Sequence, residues 1–508
     1  MMEIGSAKRP HVGMVVGAIA LLLTLTLPFL GRHGLWTDEI FSVTAAASWQ
    51  GLFEVFARFE NNMALYYILL CGWMTLGDGE VTVRLLSTII AVLTVPVLHL
   101  LAVRLFDRRV ALIADFMLVA NAMFLTHARE ARSYSLLVLL STAGTLLFLA
   151  ALRGRRWSLW VAYACCMAAG VYAHYFAALV VAGHALALAW PGRPEIPWRQ
   201  GLVAGGLLAL LLLPLLLFPP AATGQVDWIP PFAVHDLWSM AMEFTGGRST
   251  CLAYLFFIAL GLWSWFRPGA AAGRSQRWSL WLVLSWLVAP IVITIVVSLL
   301  LKPMFVPKFL IEALPALIIL TAVGIARLPD RWAALVVAGF IAALVVNYAR
   351  RGIDQYEPWR EIAQHVQAHA ENGDAVICYP FYIARSFTFY AGRQGEGPGS
   401  LVPSPIAAGP YHPGGGSFDP PPDVELIRQV ARQHQRVWVI LSDENEQALH
   451  RAGRPQIESA MAESCPQRTV IRMQAPLSNA SFEVILYSRA PQAARADPVP
   501  AEGRALQP

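Results

Sequence analysis

Long apolar runs separated by short basic segments dominate the first 350 residues of this chain, and a polar stretch follows them. A bilayer crossing needs roughly 20 mostly apolar residues in helical form. The pattern predicts spans near 12–30, 84–105, 110–126, 134–152, 157–174, 177–190, 201–218, 251–266, 279–301, 309–326 and 332–348, about eleven in all. The first apolar run ends in Leu30-Gly31-Arg32-His33, which is no small-residue cleavage site, so it reads as a retained anchor. After about 350 the periodicity changes. Trp359-Arg360-Glu361 opens an amphipathic helix with Ile362 and Val366 at i, i+4. Ala375–Cys378, Arg436–Leu441 and Phe482–Tyr487 read as strands, and Ser442 or Asp443 reads as the cap of a following helix. Strand and helix patterns alternate, which predicts a small α/β domain. The Gly- and Pro-rich stretch 393–422 reads as a loop, and 491–508 as a disordered tail.

Composition agrees with this division. Of 508 residues, 56% are hydrophobic and 14% charged, against roughly 25% charged in a soluble domain. Mean hydropathy is +0.52. A soluble globular enzyme and a disordered chain are both excluded. The net charge of +5 gives no global support for a nucleic-acid partner. Basic residues instead follow the spans. Lys8 and Arg9, then Arg104, Arg108 and Arg109, then Arg153, Arg155 and Arg156 fall on one side. Arg193 and Arg199, then Arg267, Arg274 and Arg277, then Arg327 and Arg331 continue the series. The positive-inside rule makes that side the cytoplasm. The N-terminus is then cytoplasmic, and the loop 31–83 and everything after about 350 lie outside. Six cysteines make no disulfide framework. Cys165 and Cys166 are expected as membrane-buried thiols, while Cys378 and Cys465 could pair in an oxidising compartment.

Three polar clusters fall on the outer side. Asp38 and Glu39 follow Trp36-Thr37; an acidic pair beside a span faces water or a site, or caps a helix starting near Ile40. His127-Ala128-Arg129-Glu130-Ala131-Arg132-Ser133-Tyr134 is dense in charge for a short turn, and places two arginines against the charge bias. It is either a site or a snorkelling belt with an Arg–Glu pair. Lys302-Pro303-Met304-Phe305-Val306-Pro307-Lys308-Phe309 either anchors a helix end or holds an anionic headgroup. Arg84 opens a span on the same side. Carboxylates, Arg and Lys at one membrane face suit transfer from a phosphate-linked lipid. No metal-ligand spacing is present, and His127 and His174 read as polar interface residues.

In order, Leu35-Trp36-Thr37-Asp38-Glu39, Leu65-Tyr66-Tyr67, Val83-Arg84-Leu85-Leu86-Ser87, Glu130–Tyr134, Tyr172–Phe176, Lys302–Phe309 with Leu314-Pro315, and Trp359-Arg360 resemble the GT-C glycosyltransferases of the family 39 type. These include protein O-mannosyltransferases and the aminoarabinose transferase that modifies lipid A. The resemblance covers about 12–390. It implies a polytopic α-helical membrane protein with a GT-C-like catalytic domain over 1–350, beside the extracytoplasmic α/β domain that the strand and helix pattern predicts over 351–490. It also implies a bacterial inner-membrane enzyme that moves a sugar from a polyprenyl-monophosphate donor to a lipid, glycan or protein acceptor; no cofactor is expected, and no divalent metal is needed where side-chain cations take that role. By resemblance Asp38 is the general base, with Glu39 beside it. Arg84, Arg132, Lys302 and Lys308 are candidates for the donor phosphate. Glu130, Tyr134, Tyr66 and His174 are candidates for sugar or acceptor contact. Asn62-Met63-Ala64 stands where the family commonly has His-Pro-Pro, and Lys308-Phe309 where Arg-Tyr is common. The β-trefoil repeats of the eukaryotic enzymes have no counterpart. The rival reading is a lipid flippase, against which Asp115 is the only plain mid-span carboxylate.

Overall fold

The computed structural model describes residues 9–489 except 59, 191, 220–225, 227, 267–273, 352–356, 394–404, 408–420, 443–447 and 475–480. The tail 491–508, most of the expected loop 393–422, and Asp443 therefore lie outside the described residues. The chain is a polytopic helical membrane protein with one small sheet, divided into two units. The first holds Met1–Arg32 and Ser42–Tyr348, and the second holds His33–Phe41 and Ala349–Pro508.

In the first unit, Glu80–Leu105 packs against Tyr134–Gly154 and Arg108–Val119, and Tyr134–Gly154 packs against Trp157–Ala173. Ala177–Ala187 packs against Arg274–Leu300, and Arg248–Phe266 against Leu314–Ile325. The helix Leu314–Ile325 sits at the centre, with nearly every side chain buried. Trp198–Leu217 lies at the periphery and exposes Leu202, Leu210 and Leu216. These helices are apolar all round, as spans are, so the bilayer rather than a polar face covers what packing leaves open. Among the described residues seven helices are long and apolar enough to cross, or ten if each sharply bent pair counts as one span. The expected count of about eleven includes runs that this measure of length and apolarity does not take singly. Trp157–Ala173 and Ala177–Ala187 fall short in length, and Arg108–Val119 and Ala122–Ala128 form one bent pair at 63°. Apolar runs in sequence do not reveal such breaks. Cys165 is exposed on the apolar helix Trp157–Ala173 and Cys166 half-buried, so the protein's own packing leaves the first of these thiols open. Asp115 is buried and pairs with His99 Nδ1 at 2.7 Å.

The second unit is built on a five-stranded sheet in the order β2-β1-β3-β5-β4. The strands are β1 Ala375–Tyr379, β2 Pro405–Ala407, β3 Arg436–Ser442, β4 Gln467–Gln474 and β5 Ser481–Ser488. β1 pairs in parallel with β2 and β3, while β5 runs antiparallel to β3 and β4. Both faces are covered, which explains the unbroken apolar runs of β1 and β3. Ile377, Val439 and Ile485 meet Ile427 and Val430 of the helix Val424–Gln433, and Ile457 and Met461 of Ala448–Ala462. On the other face Trp359 stacks edge-on against Phe482, and His365 lies against Trp438, both from the helix Trp359–His369. β2 falls inside the stretch read as a loop. Cys378 and Cys465 are both buried and free, so the pairing contemplated for them is not made.

Candidate functional site

In the first unit the densest polar feature is the turn between Ala122–Ala128 and Tyr134–Gly154. His127, Arg129, Glu130, Arg132 and Ser133 are all buried there. Hydroxyls of the helix Glu80–Leu105 hold its backbone. Thr88 Oγ1 donates to Ala128 O at 2.8 Å, and Ser87 Oγ to Arg132 O at 3.4 Å. Ser135 Oγ donates to His127 O at 2.7 Å. Buried carbonyls need such partners, because each left unpaired costs about 1–3 kcal/mol. The charged side chains are then fixed in turn. His127 Nδ1 lies 2.8 Å from Glu130 Oε2. Arg132 Nη1 donates to Ser42 Oγ at 3.4 Å, and its guanidinium stands 6.0 Å from the Tyr134 ring. Tyr134 is wholly buried, with its ring 4.5 Å from that of His127 and 6.0 Å from that of His174.

His174 follows the helix Trp157–Ala173 and is buried against Phe176 and Phe309. Its Nδ1 accepts from Phe176 N at 3.3 Å, which puts the proton on Nε2. Among the described residues Nε2 has no hydrogen-bond partner. Burial, with the cations Arg132 and Lys308 in range, pushes this imidazole down to about 3, so it is neutral. Lys308 is half-buried in the 3₁₀ turn Pro307–Ala313 and acts electrostatically on both His174 and Glu243. The structure thus brings Glu130, Arg132, Tyr134, His174 and Lys308 into one neighbourhood.

Other expected residues are placed differently. Arg84 is buried, but Nη1 donates to Leu30 O at 2.9 Å, so part of its fork braces the end of the first helix. Tyr66 is buried with its hydroxyl 2.8 Å from Ser87 Oγ, so it supports the turn from behind. Lys302 is exposed just beyond Arg274–Leu300. Two acids were not legible beforehand. Glu243, on the amphipathic helix Val234–Thr245, is within electrostatic range of His127, Glu130 and Lys308. Glu312 is wholly buried with neither carboxylate oxygen hydrogen-bonded among the described residues. Acid at the membrane boundary was the available signal for both. Asn62, one of the three residues that depart from the expected motif, accepts from Tyr175 N at 3.0 Å and so ties down the loop that carries His174.

Asp38 and Glu39 belong to the second unit. Their helix runs Thr37–Ala45, three residues earlier than the expected start at Ile40. The capping acid is Glu39 rather than Asp38. Its buried Oε2 accepts from Trp36 N at 3.3 Å, the backward half of a capping box. Asp38 is half-buried in the same first turn. No group of three His, Cys, Asp or Glu among the described residues is arranged to hold a metal.

Residues 60–218 match a family described as dolichyl-phosphate-mannose-protein mannosyltransferase. That segment includes Arg84, Glu130, Arg132, Tyr134 and His174. No curated protein matches the sequence significantly. Among solved structures, ArnT from Cupriavidus metallidurans in the apo state has a TM-score of 0.61 at 14% identity, over 94% of this chain and 98% of that one. The same protein bound to undecaprenyl phosphate gives 0.59 at 14%, over 96% and 100%. The Archaeoglobus fulgidus oligosaccharyltransferase gives 0.56 at 13%, over 94% of this chain and 73% of that one.

Proposed function

We propose that this chain, a multi-pass membrane protein with the fold of the GT-C glycosyltransferases, transfers a sugar from a polyprenyl-monophosphate donor to a lipid, glycan or protein acceptor. The fold likeness to ArnT, one structure of which holds undecaprenyl phosphate, supports the donor class. The match to a dolichyl-phosphate-mannose-dependent family supports it independently. The observation that carries the reading is the buried turn at His127–Tyr134. Two arginines, a Glu–His pair and Tyr134, whose ring lies tilted against that of His127, are gathered there, and hydroxyls from a neighbouring helix hold the backbone. Burying that much charge serves recognition of an anion better than it serves stability.

In the proposed reaction Asp38 takes the acceptor's hydroxyl proton. The acceptor oxygen attacks the anomeric carbon, and the bond from that carbon to the phosphate oxygen breaks. The lipid phosphate leaves with the electron pair, and one displacement inverts the centre. A positioned base is worth about 10²–10⁴ in rate. Arg132 and Lys308 neutralise the charge growing on the leaving phosphate, with Arg84 and Lys302 as further candidates. Neutral His174, through Nε2–H, and Glu130, Tyr134 and Tyr66 contact sugar or acceptor directly or through the turn. Glu39 holds the helix that carries Asp38. In this reading the membrane is a bacterial cytoplasmic one, and the polar C-terminal part lies outside it.

The test is transfer of label from a panel of radiolabelled polyprenyl-phosphate sugars, with crude membranes supplying acceptor. Wild type should consume one donor, and Asp38→Asn should lose at least about 10²-fold in turnover while still folding. Near-normal turnover in Asp38→Asn removes the base assignment. Translocation of the donor across liposomes without consumption replaces the enzyme with a flippase.

A further inference from the structure

We infer that Glu357 is a positioning residue for Asp38, and that orienting this acid is a function of the C-terminal domain. The inference rests on Asp38 being the base.

The helix Thr37–Ala45 carries Asp38 in its first turn. Its first amide groups have no partner inside the helix. The residue before it is Trp36, whose side chain offers no acceptor, where Ser, Thr, Asp or Asn is the usual local solution. Glu39 serves Trp36 N from within. Thr37 N is served from far away in sequence, by Glu357 Oε2 at 2.9 Å. The same oxygen accepts from Thr37 Oγ1 at 2.6 Å and from Trp359 Nε1. A carboxylate at a helix N-terminus is also favoured by the aligned peptide dipoles. Glu357 is buried, and its bonds are of the charge-assisted kind that fixes geometry best.

The grip extends to either side of Asp38. Leu35 N donates to Tyr390 Oη at 2.5 Å. Thr37 Oγ1 lies 3.1 Å from Ser386 Oγ, and the Arg385 guanidinium sits 4.9 Å from the Phe41 ring. A Cβ at Gly34 would approach Tyr390 Oη to 3.0 Å, so the backbone there is pressed close. Behind Glu357, Trp359 is wholly buried and packs on Phe482 of β5. A continuous path therefore runs from the sheet through Trp359 and Glu357 to Thr37, the residue before Asp38. Positioning groups of this kind act on turnover, because small displacements of a base cost rate more than binding.

The experiment uses full-length protein in nanodiscs, comparing wild type with Glu357→Ala, Glu357→Gln, Asp38→Asn and the double variant Glu357→Ala/Asp38→Asn. Two quantities are read: amide hydrogen exchange across 33–45, and steady-state transfer from the radiolabelled polyprenyl-phosphate sugar that wild type consumes. Glu357→Ala should speed exchange of the 35–39 amides and lower kcat, each by about tenfold or more, with KM within about twofold. Glu357→Gln keeps an acceptor oxygen and should recover much of both. The double variant should be no slower than Asp38→Asn alone, since Glu357 acts through Asp38. Unchanged exchange at 35–39 in Glu357→Ala overturns the inference and leaves Asp38 untouched. So does faster exchange throughout β1, β3 and β5 that Gln does not rescue, which would make Glu357 merely structural. Full transfer by Asp38→Asn removes the base, and this inference with it, whatever the exchange shows.

Discussion

His174 shows how a single buried side chain ties stability to pH. Its pKa is pushed down to about 3 by burial and by Arg132 and Lys308, against an ordinary value of 6.5. Between those values the unfolded chain binds a proton at this imidazole that the folded chain refuses. Stability therefore falls as pH drops through the window from about 6.5 to 3. Thermal unfolding in detergent across that window should show a shallower slope for His174→Gln than for wild type. Equal slopes would mean that the ring is solvated. The identity of such residues was partly legible. The cluster His127–Tyr134 stood out because its charge density is anomalous at a membrane face, and five of the expected residues do converge. Tyr66 and Arg84 matched the same motifs, yet they are drawn into bonds with Ser87 and Leu30. A motif records which residues occur together, not which of their donors are already engaged. Glu243 and Glu312 were missed for the opposite reason: each is a single acid near a span end, with no neighbouring motif to single it out.

At the level of elements, one glycine sets a close helix crossing. At Gly324, in the central helix Leu314–Ile325, a Cβ would overlap the Phe257 carbonyl of the helix Arg248–Phe266. Small residues at such crossings let backbones approach where lipid offers no hydrophobic drive for association. Gly324→Ala should force the two helices apart and cost about 1–3 kcal/mol, read as a lower unfolding temperature in detergent. An unchanged temperature would show that the crossing is loose. The helices themselves were legible because apolar runs of span length have few alternatives. The 63° break was not, since it falls inside the run read as one span over 110–126, whereas the 89° break falls at Gly246-Gly247, a pair free to take the positive φ that turns the chain. In the sheet, β1, β3 and β5 were legible as buried apolar runs. β4 was not: it is an edge strand whose Arg468, Thr469, Val470 and Arg472 are exposed, so neither alternation nor an apolar run marks it. β2 is three residues long and lies in Gly- and Pro-rich sequence.

For the whole molecule, the proposed orientation places the second unit outside the cytoplasmic membrane. Gln433→Cys adds an exposed thiol on that unit, whose own cysteines, Cys378 and Cys465, are buried. A membrane-impermeant maleimide added to intact spheroplasts should label the variant and not wild type. Labelling only after lysis would reverse the topology. The division of the chain also follows no single cut in sequence. The polar tail was legible as a separate α/β domain, but nothing before residue 350 signals that His33–Phe41 groups with it. That grouping has a consequence in time. Thr37 and the carboxylate that holds it are 320 residues apart. At roughly 5–20 residues per second, about 16–64 s of synthesis separate them. Throughout that interval the nascent chain already carries its acid in the membrane with the holding carboxylate still unmade. A ribosome that stalls anywhere before Glu357 leaves behind an inserted protein in which the turn carrying Asp38 was never set.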